Sequence, residues 1–459
     1  MKNFDGIMHK ITVKDFPKLD LGDKRRDERF VKIIDNIVRQ PGSSIPKHNK
    51  RWYDAKATYE FFKNEDIKLE AITAAINRYG ANQVEQQKLL VIHDTSTISY
   101  NDLQAEGLGY IDNAAGKGIF CHSSIAVTTA GMPLALLNQN IWSREQSELG
   151  KSARRKQKPF DEKESYKWYR GIESVNNLLN KKIVKIHVGD READIYELFF
   201  NEPDKQSELL IRARHNRKTS AGSALWQHIS KQKVVAEEEL AIPDRTGKRK
   251  RKIKVQIRYK KVEILCPVYK QETVFKSVVL TAIEITEKGN SKDGIHWKLL
   301  TTLSVSNAEE AKQCMRWYSY RWLIERFHYV LKSGCGIEAL QLKKAESLMK
   351  AIAVYSLAAF SIMQLTYQSR ETPNVSCEAI LTSEQWQTLY MLKHKKNMLP
   401  EKPPTLQEAT KWIAQMGGYL ARKSDGPPGL KTVWLGYEVL LQAVALYEII
   451  IGKKNLGND

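Results

Sequence analysis

The chain has 459 residues, 42% of them hydrophobic and 9% aromatic. That is enough apolar side-chain matter for roughly two to four domains, and it excludes both a small binding module and a wholly disordered chain. Lys and Arg number 73 against 53 for Asp and Glu, a formal charge of +20, so the expected partner is a polyanion: nucleic acid first, with an anionic membrane surface as the rival.

Residues 1–16 lack the apolar stretch and cleavage site of a secretory signal. The longest uncharged run, 351–369, mixes Ser, Gln and Thr with Ala and reads as a buried core helix, not a membrane span. Cys121, Cys266, Cys314, Cys335 and Cys377 are odd in number and scattered, with no CxxC pair. They predict a reducing, cytoplasmic setting and neither a disulfide framework nor a zinc site.

Residues 22–66 read as short basic helices. Asp23 caps a run in which Phe30, Ile33, Ile34, Ile37 and Val38 recur at helical spacing until Pro41-Gly42 stops it, and a second helix covers 54–63. Lys24, Arg25, Arg26, Arg29, Lys47, Lys50 and Arg51 decorate this segment. From Ala71 strands alternate with helices: a strand at 89–92 ending at His93-Asp94, strands at 120–128 and 134–138 around Gly131-Met132-Pro133, and a helix at 165–179. A strand at 183–188 then runs into Gly189-Asp190, a helix covers 192–200, and a strand covers 209–211. That order is α/β.

The middle third turns to β structure. Ile253, Val255, Ile257 and Tyr259 alternate with Lys254, Gln256 and Arg258, and strands are expected at 278–285 and 297–303. Arg245, Lys248, Arg249, Lys250, Arg251, Lys252, Lys254, Arg258 and Lys260 surround a single acid, Asp244, a density that suits a phosphate backbone or a solvated loop. A capping box at Ser306 to Glu309 opens a helix that no Pro or Gly interrupts before Gly334. Further helices are expected at 345–367, 406–420 and 437–451, with a junction at 371–376 and a breaker at Asp425-Gly426-Pro427-Pro428-Gly429.

The helix after Ser306 carries the chemistry. On a continuous helical wheel Tyr318, Arg321, Glu325 and Lys332 share one stripe about 60° wide, while Tyr320, Leu323, Ile324, Phe327, Val330 and Leu331 take the opposite face. Arg321 and Glu325 alone would be a surface i, i+4 pair. However, Asp94 and Asp190 each follow a short buried strand, at the strand ends where α/β sheets build sites. Each Asp also has a structural explanation, as an Asx turn or a helix cap. Together, two Asp and one Glu in a basic chain describe an oxygen cage for hard divalent cations shared with phosphate oxygens. The chain has no GxxxxGK[ST], HExxH or GxSxG motif, so ATP-driven, zinc-dependent and serine-nucleophile chemistry lack support.

The spacing Tyr318-x-x-Arg321-x-x-x-Glu325-x-x-x-x-x-x-Lys332 resembles the YREK signature of bacterial DDE transposases of the insertion-sequence-four type, which include the transposon-five transposase. Further matches are Leu21-Gly22-Asp23-Lys24-Arg25-Arg26, His93-Asp94-Thr95-Ser96, Asp161-Glu162-Lys163-Glu164-Ser165, Gly189-Asp190-Arg191-Glu192-Ala193-Asp194-Ile195 and Gly426-Pro427-Pro428-Gly429, in family order along nearly the whole chain. The resemblance implies an α/β, ribonuclease-H-like catalytic core at 69–372 with a β-rich insertion at about 220–303. It implies a helical DNA-binding domain at 1–68 and a helical dimerisation domain at 373–459.

The same resemblance makes Asp94, Asp190 and Glu325 the catalytic, metal-binding triad. It implies two Mg²⁺ ions per active site, with Mn²⁺ substituting. Tyr318, Arg321 and Lys332 would hold end phosphates, and Trp297 would stack on a flipped base. Arg212, Arg214, Arg217 and Lys218 would form an end-binding cluster, and Arg25, Arg26, Lys248 and Arg249 would add DNA contacts. The implied partners are the double-stranded inverted-repeat ends of a mobile element, target DNA and a second copy of the chain, in a bacterial cytoplasm at the nucleoid, with no membrane. Where some members carry a further Lys, four residues after the Glu, this chain has Tyr329. A ribonuclease-H-like nuclease without strand transfer and a non-catalytic DNA-binding inhibitor are the alternative readings.

Overall fold

The computed structural model describes residues 11–42, 44–49, 51–111, 116–145, 158–200, 207–243, 250–267, 276–289 and 294–455. Ten strands form one sheet: β1 (Lys88–Ser99), β2 (Gly109–Tyr110), β3 (Lys117–Val127), β4 (Pro133–Trp142), β5 (Val184–Gly189), β6 (Ser207–Arg212), β7 (Ala236–Pro243), β8 (Lys250–Leu265), β9 (Ser277–Glu287) and β10 (His296–Thr301). Its first half runs β4-β3-β1-β5-β6, with β3 antiparallel to both β4 and β1, and β1, β5 and β6 parallel. This is the strand order of a ribonuclease-H-like sheet. The parallel strands are largely buried on both faces, although β5 places Lys185 and His187 among its apolar residues.

The insertion is no separate module. β10 pairs antiparallel with β6, and β9, β8 and β7 follow in turn, so the catalytic sheet is prolonged on its far side. Arg245, Lys248 and Arg249 lie outside the described residues.

Twelve helices are described: α1 (Lys24–Arg39), α2 (Ile45–His48), α3 (Trp52–Lys63), α4 (Leu69–Ala81), α5 (Tyr166–Leu178), α6 (Leu225–Ser230), α7 (Ala308–Ser319), α8 (Trp322–Tyr329), α9 (Ala345–Glu371), α10 (Ser383–His394), α11 (Leu406–Met416) and α12 (Leu430–Asn455). Asp23 caps α1 as expected, its carboxylate accepting from the Arg25 amide. The apolar stretch within α9 is 89% buried, so length and composition that would suit a membrane serve a core helix here. Phe30 and Ile34 of α1, Ile92 of β1, and Ile352 and Phe360 of α9 belong to one continuous core. A second core gathers Leu365 of α9, Trp386 of α10, Ile413 of α11, and Val433 and Tyr437 of α12. α12 is also long and apolar enough to span a membrane, but its apolar stretch is only 39% buried, leaving Val439, Leu446, Ile449 and Ile450 exposed.

Four expectations change. β1 runs on to Ser99, so Asp94 stands inside a strand and not after one, because β3 continues to pair with it where β5 stops. The helix expected at 192–200 is two 3₁₀ turns, Arg191–Ala193 and Tyr196–Phe199. α10 was not expected, although Thr382 and Gln385 form a capping box at its start that the sequence displays. Finally, the helix expected from Ser306 to Gly334 is broken into α7, α8 and a π-turn at Val330–Gly334.

Candidate active site

Parallel pairing between β1 and β5 ends with Ile92 opposite Val188. Asp94 and Asp190 lie two residues further along each chain, so the two acids stand side by side just where the parallel pairing ends. Gly189 makes the turn after β5 possible: a Cβ there would stand 2.6 Å from that of Ala193. Asp190 caps the 3₁₀ turn, its Oδ1 accepting from the Glu192 amide at 2.8 Å. Burial, and secondarily the like charge of Asp94, push the Asp190 carboxyl above its ordinary value against that hydrogen bond.

The break between α7 and α8 re-aims the helical residues. The amides of Tyr320, Arg321 and Leu323 bond three residues back, to Trp317, Tyr318 and Tyr320. The chain tightens there and then widens, with the Cys335 amide bonding five residues back to Val330. Across the break Arg321 still lies beside both the Tyr318 hydroxyl and Glu325. Tyr318 turns inward and is 2% exposed, packed edge-on against Trp297 with ring centroids 5.1 Å apart. Its hydroxyl lies beside the Arg212 guanidinium yet makes no well-formed hydrogen bond among the described residues.

Arg321 stays at the acids, its Nη2 donating to Glu325 Oε1 at 2.6 Å. Its guanidinium is held above its ordinary value chiefly by Glu325, with a contribution from Asp94, against the opposing effect of burial. Lys332, on the π-turn, sits 3.8 Å from Glu338.

Other expected site residues divide by what already holds them. Arg212 reaches the carbonyl of His296 on β10, and burial, with Arg191 and Arg321 nearby, lowers its pKa despite the opposing influence of Tyr318. Arg217 is committed inside the protein, paired with fully buried Asp194 and bonded to its carbonyl. Arg214 and Lys218 are exposed. Arg26 bonds Asp66 at 2.6 Å and the Leu21 carbonyl, whereas Arg25 is almost fully exposed and pairs with Asp23. Tyr329 packs against Trp434 of α12, ring centroids 5.5 Å apart. Sequence reasoning missed Ser123 and His328, which line the Asp94 side of β1; only the strand register reveals them.

Asp94 and Asp190 suit a hard divalent cation: both offer carboxylate oxygen donors, and each lies near enough to the other for their like charges to interact. Among the described residues no three His, Cys, Asp or Glu are grouped so as to enclose an ion. Glu325 is held by Arg321 and would have to be released to join them. Paired aspartates where the parallel strands end, with an Arg–Glu pair nearby and buried Tyr318 beside half-buried Trp297 and Arg212, have the donor groups that phosphoryl transfer requires.

The comparisons give the family. Residues 8–67 match the transposase DNA-binding family, 171–360 the transposase DDE domain, and 357–449 the transposase Tn5 dimerisation domain. The chain belongs to the Tn5-like DDE transposases: it is a DNA-binding, dimerising, divalent-metal-dependent DNA transposase. A cryo-EM structure of the piggyBac transposase synaptic complex with hairpin DNA is 9% identical, covering 80% of this chain and 73% of that chain, with a TM-score of 0.37.

Proposed function

We propose that Asp94, Asp190 and Glu325 are the catalytic acids, and that this transposase moves its element by cut and paste. The observation that carries the reading is the side-by-side placement of Asp94 and Asp190 with the Arg321–Glu325 pair beside them. The acids would hold two Mg²⁺ ions per site, with Mn²⁺ able to substitute. When bound, such ions activate the attacking oxygen and neutralise the leaving one.

The substrates are the double-stranded inverted-repeat ends of the element and then target DNA, acted on by a homodimer in the bacterial cytoplasm, at the nucleoid. Water attacks one strand at the element end and releases a 3′-hydroxyl. That hydroxyl attacks the opposite strand, closing a hairpin and displacing flanking DNA. A second water reopens the hairpin, and the 3′-hydroxyl then attacks a target phosphodiester. In each displacement Arg321, the Tyr318 hydroxyl, Arg212 and Lys332 hold the phosphate oxygens. Trp297 offers an indole face for the base that must leave the stack, a contact worth ~1–3 kcal/mol. Arg214, Lys218 and Arg25 supply backbone contacts, as would Lys248 and Arg249.

The DNA flanking the gene supplies the test substrate, since paired inverted repeats there would be the cognate ends. Asp190→Ala is expected to abolish Mg²⁺-dependent cleavage of that end while leaving end binding intact. Cleavage that survives the substitution would overturn the assignment.

A further inference from the structure

The Asp94 side of β1 carries a polar network that the triad does not explain. Asp94 lies opposite Ser123 of β3, and the His328 imidazole of α8, buried at 6% exposure, spans the two. Its Nε2 is 3.2 Å from Ser123 Oγ and its Nδ1 is 3.7 Å from Asp94 Oδ2. Behind Ser123 the chain of contacts continues to Cys121 Sγ at 3.4 Å, Gln139 Nε2 and Ser356 Oγ. Ser123, Cys121, Gln139, Ser356 and His328 are all buried, and Asp94 is half-buried.

The direction of the protons follows from the two ends. The Ser356 hydroxyl donates to the Ile352 carbonyl at 2.8 Å, so its oxygen accepts from Gln139, whose amide also donates to Cys121. At the other end, an imidazole lone pair aimed at an ionised carboxylate would be repelled. The consistent arrangement has Cys121 donating to Ser123, Ser123 donating to Nε2, and the Nδ1–H pointing at Asp94. Its 3.7 Å separation is too long for a hydrogen bond, and catalytic contacts commonly tighten when substrate binds.

Resting on the assignment of Asp94 as a catalytic acid, we propose that His328 is a positioning residue. Braced by Ser123, it fixes the rotation of the Asp94 carboxylate so that one oxygen remains directed toward the reacting phosphate. The network roots that orientation in the core helix α9 through Ser356.

The test uses the full-length protein with a duplex end, titrated with Mn²⁺ and followed by electron paramagnetic resonance. His328→Leu is expected to raise the half-saturating Mn²⁺ concentration by about 10-fold or more, as loss of a supporting partner commonly does. Its cleavage rate at saturating DNA should fall, while end affinity and thermal midpoint hold. His328→Gln, whose amide can donate to the same carboxylate, is expected to recover part of the loss. Mn²⁺ binding that is unchanged in His328→Leu but lost in Asp94→Asn overturns the positioning role alone. A defect that follows a lowered thermal midpoint and is not recovered by Gln does the same, in favour of packing. Asp94→Asn behaving as wild type overturns the assignment of Asp94, and the inference with it.

Discussion

At the scale of single residues, the site is distinguished by groups left incompletely satisfied. The Tyr318 hydroxyl is buried beside a guanidinium without a well-formed hydrogen bond, an arrangement that costs stability until a ligand oxygen arrives. Tyr318→Phe is therefore expected to leave the thermal midpoint unchanged or raised. End cleavage should fall about 10-fold, the worth of one hydrogen bond of ~1.4 kcal/mol. A variant that cleaves at the wild-type rate would show that the hydroxyl never meets the DNA. Arg217 and Arg26 make the opposite point. Both belong to basic clusters in the sequence, yet each is held by an acid distant along the chain, Asp194 and Asp66. Composition registers a positive charge but not the partner the fold brings to it. Asp190 was legible because its setting is local, a strand followed by a tight Gly-Asp turn. His328 was not, because its meaning depends on a β1–β3 register and on a helix more than 200 positions away.

At the scale of elements, α/β alternation, the capped α1 and the apolar α9 could all be read from periodicity, since each buries one continuous apolar set. The break between α7 and α8 could not, because no Pro or Gly marks it. It follows from tertiary packing: Tyr320 lies over Gly131, where an added Cβ would come within 2.9 Å of its ring, while Tyr318 is drawn toward Trp297. Glycine has a comparable role in the C-terminal bundle. A Cβ on Gly436 of α12 would stand 1.7 Å from the Ile413 carbonyl oxygen of α11, and one on Gly417 would stand 2.1 Å from that of Thr432. Alanine is the better helix former by ~1 kcal/mol, but here it must push two helices apart. Gly436→Ala is expected to destabilise the protein by about 1–3 kcal/mol in chemical denaturation. A gain in stability would mean that the close approach is not required.

At the scale of the whole molecule, the +20 charge now belongs to a DNA-binding enzyme, and its effect should appear as steep salt dependence. Raising salt from 50 to 200 mM is expected to weaken end binding by ~10³–10⁵ if roughly six to ten phosphates are contacted; a flat response would assign the excess charge to solubility alone. The N-terminal helices dock onto the core through a pH-sensitive contact. His48 is buried and donates from Nε2 to the Gln40 carbonyl at 2.8 Å, while the Tyr355 hydroxyl of α9 lies 3.4 Å from Nδ1. Burial pushes its pKa down from 6.5 to about 4. Below 6.5 the unfolded chain takes up this proton more readily than the folded one, so stability falls as pH drops from about 6.5 toward 4. Thermal melts across that window should show a steeper loss for wild type than for His48→Gln, and parallel curves would remove His48 from the account. The unbroken sheet also fixes the spacing of the groups carried across it. Asp94, Asp190, Arg212 and Trp297 lie on, or just beyond, four successive strands, β1, β5, β6 and β10. At ~4.8 Å per strand the first and last are about 14 Å apart, close to four nucleotide steps of a stacked strand at ~3.4 Å each. The backbone hydrogen bonds of the sheet thus set the spacing between the acids and the indole, one that side-chain substitution cannot rescale.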